Sequence, residues 1–241
     1  MYKRHATAAL ITALSSTWRG LLLVAACAAG GAGAQVPPAA AEAARYTGLH
    51  AAAHSGNVAQ IEAALKSGED VNRRDTYGRT ALHIATFARK PDAVKALIKA
   101  GAKTELLEND KYDAVTVAAV ADDEATLRAL LAHGASAKLT TSRYDGTALI
   151  AAAHLGHDGV VKQLIATGAP LDHVNNLHWT ALIESIVLGN GGPRHVETLR
   201  ALVKAGANLQ ITDRSRNTPL GLARSRGYTE MVKILLEAGA K

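Results

Sequence analysis

The fold class predicted by this sequence is an all-α solenoid of about six stacked helix-turn-helix units with short β-hairpin loops. Three observations predict it. The first is a period. The residue that opens each "TxL" or its equivalent falls at Thr47, Thr80, Asp113, Thr147, Thr180 and Thr218, in steps of 33, 33, 34, 33 and 38. The glycine of each "GA" or its equivalent falls at Gly68, Gly101, Gly134, Gly168, Gly206 and Gly239, in steps of 33, 33, 34, 38 and 33, so two independent markers agree. The second is composition. The chain is 48% hydrophobic but only 4% aromatic, which suits short helices packed closely through Ala, Leu, Val and Ile better than a wide sheet sandwich. The third is spacing: in "TALHIATFARKPDAVKALIKAGA", residues 80–102, the apolar residues recur three and four apart in two short runs.

In chain order, residues 1–34 read as a secretory signal peptide. Lys3, Arg4 and His5 give a basic start, Leu21 to Ala29 are apolar, and "AGA" at Ala32 to Ala34 precedes Gln35 as a small-residue cleavage pattern. Arg19 interrupts the apolar stretch, which is too short for a span of about 20 residues. "LVAAC", Leu23 to Cys27, also resembles a lipobox, so an alternative is a lipoprotein anchored through Cys27. Cys27 is the sole cysteine, and cleavage at Ala34 would leave no thiol for disulfides, thiolate metal sites or a cysteine nucleophile. Removing Lys3, Arg4 and Arg19 lowers the net charge from +6 to +3, too mild to argue for nucleic acid. Residues 35–46, beginning "QVPPAAAEAAR", are expected to be a spacer and an N-terminal capping segment; residues 47–241 are expected to hold the six repeats.

Each letter of a unit has a physical reason. Thr80 can cap the first helix, with His83 bonding back as in a capping box. Leu82 and Ala85 then face inward. Pro91 opens the second helix, where a missing N–H is harmless, and Val94, Leu97 and Ile98 make its apolar stripe. Gly101 ends it in the left-handed conformation. Two helices this short cannot bury their stripes alone, so neighbours must stack.

A period of 33 carrying "T-x-L-H-x-A" and "G-A" resembles the ankyrin repeat, over Thr47 to Lys241. "DTYGRTALHIATFARKPDAVKALIKAGA" matches well, and "TPLGLARSRGYTEMVKILLEAGA" keeps the proline after the cap. The departures are informative. Asp113 replaces the capping threonine and should cap normally, whereas Ile150, Ile183 and Gly221 at the histidine position should weaken their caps. One residue is gained in "KLTTSRYDG", and five between the helices of repeat five, in "LGNGGPRHVE" from Leu188 to Glu197. This insertion reads as a lengthened surface loop with partner contact as its functional option; no strand precedes it and no Lys-Ser/Thr pair follows, so it is not a phosphate cradle.

No metal ligand set, cofactor site or catalytic constellation converges in the sequence. His50 and His83 fall at the capping position, and His173 and His178 lack a third ligand at useful spacing. Ser67, Ser142 and Ser215 lie in turns without an elbow motif. The resemblance implies instead a partner-binding concave face made of hairpin tips and inner helices. Large aromatics stand one or three residues before four caps, at Tyr77, Tyr112, Tyr144 and Trp179, flanked by Arg79, Arg143 and Arg214. Late on the inner helices come Phe87, Val120, His154, Leu155, Val187 and Leu188. Aromatics with arginine match the composition of binding hot spots.

The expected function is therefore a non-catalytic protein-protein interaction module, monomeric, in the periplasm or secreted, with a protein partner, no nucleic acid and no cofactor. An immunity-like inhibitor of a secreted effector and a companion of a periplasmic stress enzyme are alternatives. A metal-binding or enzymatic protein is the alternative of another class.

Overall fold

The computed structural model describes residues 35–241. The signal-peptide and Cys27 expectations lie outside them. A four-residue helix α1 (Ala40–Ala43) precedes six helix pairs: α2 (Gly48–Ser55) with α3 (Val58–Lys66), α4 (Ala81–Phe87) with α5 (Pro91–Lys99), α6 (Ala114–Val120) with α7 (Glu124–Ala132), α8 (Ala148–Leu155) with α9 (Asp158–Ala166), α10 (Ala181–Val187) with α11 (Pro193–Lys204), and α12 (Pro219–Ser225) with α13 (Thr229–Glu237). Strands β1 (Thr140–Thr141) and β2 (Gly146–Thr147) pair antiparallel, Thr140 opposite Thr147. Inner helices pack on inner helices of the next pair and outer on outer, so every unit leans mainly on its neighbours.

The alanine richness follows from that stacking. Five residues after each cap come Ala52, Ala85, Ala118, Ala152, Ser185 and Ala223, all buried and all small enough for neighbouring inner helices to approach closely. Two residues after the cap, Leu49, Leu82, Val115, Leu149, Leu182 and Leu220 fill the space beneath them. From the outer helices Ile61, Leu97, Leu130, Leu164, Leu202 and Leu235 complete one continuous core.

The capping box of repeat two is present in full: the Thr80 amide donates to His83 Nδ1 at 3.2 Å, and His83 Nε2 bonds the Tyr112 carbonyl of the next hairpin at 3.2 Å. Asp113 accepts the Thr116 amide at 2.9 Å. Where histidine is replaced, the forward half survives: Thr147, Thr180 and Thr218 accept the amides of Ile150, Ile183 and Gly221 at 3.3, 3.2 and 3.2 Å. Thr47 makes no such bond; the carboxylate of Glu69 accepts the Leu49 amide instead, at 3.1 Å.

The insertion differs from a free loop. The outer helices α3, α5, α7, α9 and α13 have nine residues, whereas α11 has 12 and starts at Pro193, so part of the extra chain is a lengthened helix. The remainder is packed. Gly189 is buried, its carbonyl accepts the Tyr228 hydroxyl at 2.9 Å, and His195 Nε2 bonds the His154 carbonyl at 2.9 Å.

Candidate partner-binding surface

The hairpins are built to one plan. Five residues before each cap a polar side chain folds back on its own turn: Asp75, Glu108, Ser142, Asn175 and Asp213 each accept two backbone amides, those two and four residues on. Two residues before the cap the chain turns left-handed, at Gly78, Lys111, Asp145, His178 and Arg216. Successive tips are then tied edge to edge. The amides of Asn109, Ser142 and Asn176 donate to the carbonyls of Tyr77, Lys111 and Tyr144 at 3.0, 2.7 and 2.9 Å. These short, repeated bonds hold the tips as one rigid row, which is the order a binding surface needs before a partner arrives.

On this row Tyr77 and Tyr144 are 49% and 41% exposed, and Leu155, at the end of α8, is 39% exposed. Phe87, Val120, His154, Trp179, Val187 and Leu188 are half-buried, serving the stack and the surface together. Two expected contact residues belong elsewhere. Arg79 is 1% exposed: its guanidinium meets the Asp75 carboxylate at 2.8 Å, pairs with Glu42 of α1, donates to the Val36 carbonyl at 3.4 Å, and lies 4.5 Å beneath the Tyr77 ring. Burial lowers its pKa without neutralising it. Arg79 is thus a structural cation that fastens residues 35–46 to the second hairpin and props Tyr77 from below. Tyr112 is 8% exposed and its carbonyl receives His83, so it too packs inside the stack. One position before the cap lies between hairpins, whereas three before lies on the tip; the sequence does not separate these by chemistry.

Among the residues not anticipated, Glu184 on α10 stands out. It is 4% exposed, at a position held elsewhere by Ala51, Ile84, Val117, Ala151 and Leu222. Its Oε1 accepts Asn175 Nδ2 at 3.0 Å, while its Oε2 has no hydrogen bond and faces His154 Nδ1 at 3.7 Å. Burial raises its pKa to about 7, against the lowering effect of the Asn175 bond. Asn175 explains the carboxyl: alone among the five turn anchors it carries an amide NH2, and a buried donor needs an acceptor. Among the described residues no group of three or more His, Cys, Asp and Glu is placed to hold a metal, and no helix is long and apolar enough to cross a membrane.

A family model described as ankyrin repeats (3 copies) matches residues 115–213 and 159–241, and another, ankyrin repeats (many copies), matches residues 49–98. The chain belongs to the ankyrin repeat family. Ankyrin repeats serve in general as protein-protein interaction modules without chemistry of their own. The ankyrin repeat protein YahD of Escherichia coli (strain K12) is 39% identical over 100 residues, 41% of this chain and 50% of YahD. An ankyrin repeat-containing protein of Treponema pallidum (strain Nichols) is 32% identical over 39% of this chain and 31% of its own, so the matches span half or less of these relatives. Among solved structures, the ankyrin repeat domain ABAYE2397 of Acinetobacter baumannii AYE is 44% identical with a TM-score of 0.76, covering 80% of this chain and 98% of that one. The ankyrin repeat protein EF0377 is 32% identical with a TM-score of 0.74, covering 81% and 100%.

Proposed function

We propose that this ankyrin solenoid is a non-catalytic binding module that acts in the cell envelope and takes a protein partner on its hairpin and inner-helix face. The observation that carries the reading is the exposure of Tyr77 and Tyr144 on a hydrogen-bonded, pre-ordered row of hairpin tips, with Leu155 exposed at the end of the inner helix α8, in a protein with so few aromatics. Large apolar side chains held in water on a rigid surface mark interaction sites. Tyr144→Ala and Leu155→Ala should each weaken partner capture, Tyr144→Ala by about 2 kcal/mol, with unchanged melting. Lys95→Ala and Lys233→Ala on the outer helices should leave capture unchanged. Silence at Tyr144 with loss at Lys95 would move the site to the opposite face.

The envelope location rests on the basic start, the apolar run and the "AGA" before Gln35. Mass spectrometry of the protein from its native cell should find an N-terminus at Gln35. A diacylglyceryl group on Cys27 would establish the lipoprotein form instead, and an intact Met1 in the cytoplasm would overturn both.

A further inference from the structure

The proposed binding face is uneven in charge. Arg73, Arg79, Arg143, Arg194 and Arg200 are each paired with a carboxylate, while the exposed Arg45, Arg74, Arg89 and Arg128 meet none among the described residues but are scattered along the earlier part of the chain. In repeat six Arg214, Arg216 and Arg226 are exposed on this face, and among the described residues none of them meets a carboxylate; Arg224, also exposed, holds the position of the buried Ala53, Thr86, Ala119, Ala153 and Ile186 and lies on the end of the stack. Arg214 donates only to the Asn176 carbonyl at 2.6 Å and to His178 Nδ1 at 3.3 Å. The one acid of that hairpin, Asp213, is occupied by the amides of Ser215 and Asn217, both at 2.8 Å, and by the Asn217 side chain. Three arginines against that one carboxylate leave the patch with a net positive charge.

Its placement joins it to the apolar row. Arg214 and Arg216 stand on the hairpin tip next to that of Trp179, and Arg226 occupies in its repeat the position of exposed Leu155. We propose that the ligand of this face is an acidic segment of a protein partner, aromatic or aliphatic side chains lying over Tyr144, Leu155 and Trp179 and Asp or Glu side chains reaching the arginines of repeat six. Exposed guanidinium forks match carboxylates in shape, and an unneutralised cationic end speeds the approach of an anionic chain and fixes its direction along the row. This assignment rests on the reading that the hairpin and inner-helix face is the binding site.

The test is selection of a random peptide library displayed on phage against the full chain, followed by affinity measurements on the enriched peptides. The selected sequences should place Asp or Glu beside aromatic or aliphatic residues. Arg216→Glu and Arg226→Glu should each weaken them about tenfold, and raised salt should weaken them further; Tyr144→Ala should also weaken them, with all variants melting as wild type. Selected peptides that depend on Tyr144 but are not acidic and ignore Arg216 and Arg226 would overturn the proposal and leave the face as the site. Peptides indifferent to both sets would overturn both readings, and no enrichment of acidic sequences overturns the proposal. A mixed-sequence single-stranded oligonucleotide that displaces the peptides and loses affinity with Arg216→Glu would reassign the patch to nucleic acid and overturn it too.

Discussion

Glu184 shows how one buried carboxyl can fasten a hairpin to its own inner helix, through Asn175, at a cost set by pH. Its folded pKa of about 7 lies above the ordinary 4.5, so the native state holds the proton more tightly than the unfolded chain. Its stabilising effect is full below about pH 4.5 and is lost as pH rises to about 7, a change of about 3 kcal/mol at 1.36 kcal/mol per unit. His83 acts in the opposite sense: burial lowers its pKa from 6.5 to about 4, so its contribution is complete above pH 6.5 and is lost as pH falls toward 4. The two slopes offset each other in the wild type, and the difference between variants separates them. Glu184→Gln keeps an acceptor for Asn175 and cannot ionise. In urea melts it should match wild type near pH 4 and exceed it by about 3 kcal/mol near pH 8; equal stability at both would mean Glu184 ionises freely.

At the scale of elements, the insertion of repeat five is bound into the next unit. Gly191 has φ +68°, and a Cβ there would lie 2.5 Å from the Tyr228 ring of repeat six. A Cβ on Gly192 would meet only the movable amide of Asn190, at 2.9 Å. Gly191→Ser should therefore cost about 1 to 3 kcal/mol, combining left-handed strain with displacement of a packed ring, while Gly192→Ser costs a few tenths. Equal losses in denaturant melts would show that the Tyr228 contact does not hold the insertion. The lengthening of the sequence was legible, but not the packing, because a run of glycines reads as a flexible link until the partner ring is known.

For the whole molecule, stability is a sum over interfaces between neighbouring units. Leu97 is fully buried on α5 within the continuous core. Leu97→Ala should cost about 2 to 5 kcal/mol, and the loss should appear as faster amide exchange in repeats one and three as well as two. Exchange changes confined to α5 would mean that the units melt independently. At the first end of the array, residues 35–46 are joined to repeat two through Arg79 and through the Tyr46 hydroxyl on Asp75 at 3.0 Å; burial, and after it the Asp75 carboxylate, pushes the phenol above its ordinary range.

What the sequence determined by itself was the array: the 33-residue step, the caps, the alanines that let inner helices touch and the glycines that end outer helices are local requirements, and each leaves its mark on the residue that meets it. The row of turn anchors from Asp75 to Asp213, five residues before each of the last five caps, emerged only with the structure, because its members differ in type and share no letter. Tertiary structure alone decided which of the chosen aromatics and arginines reach solvent. Tyr144 lies open and Tyr112 is enclosed, and Arg143 and Arg214 are exposed while Arg79 is buried under residues 35–46. Exposure of a side chain at a hairpin depends on what the neighbouring repeat and the N-terminal segment place over it, and that is a property of the stack, not of the residue or its period.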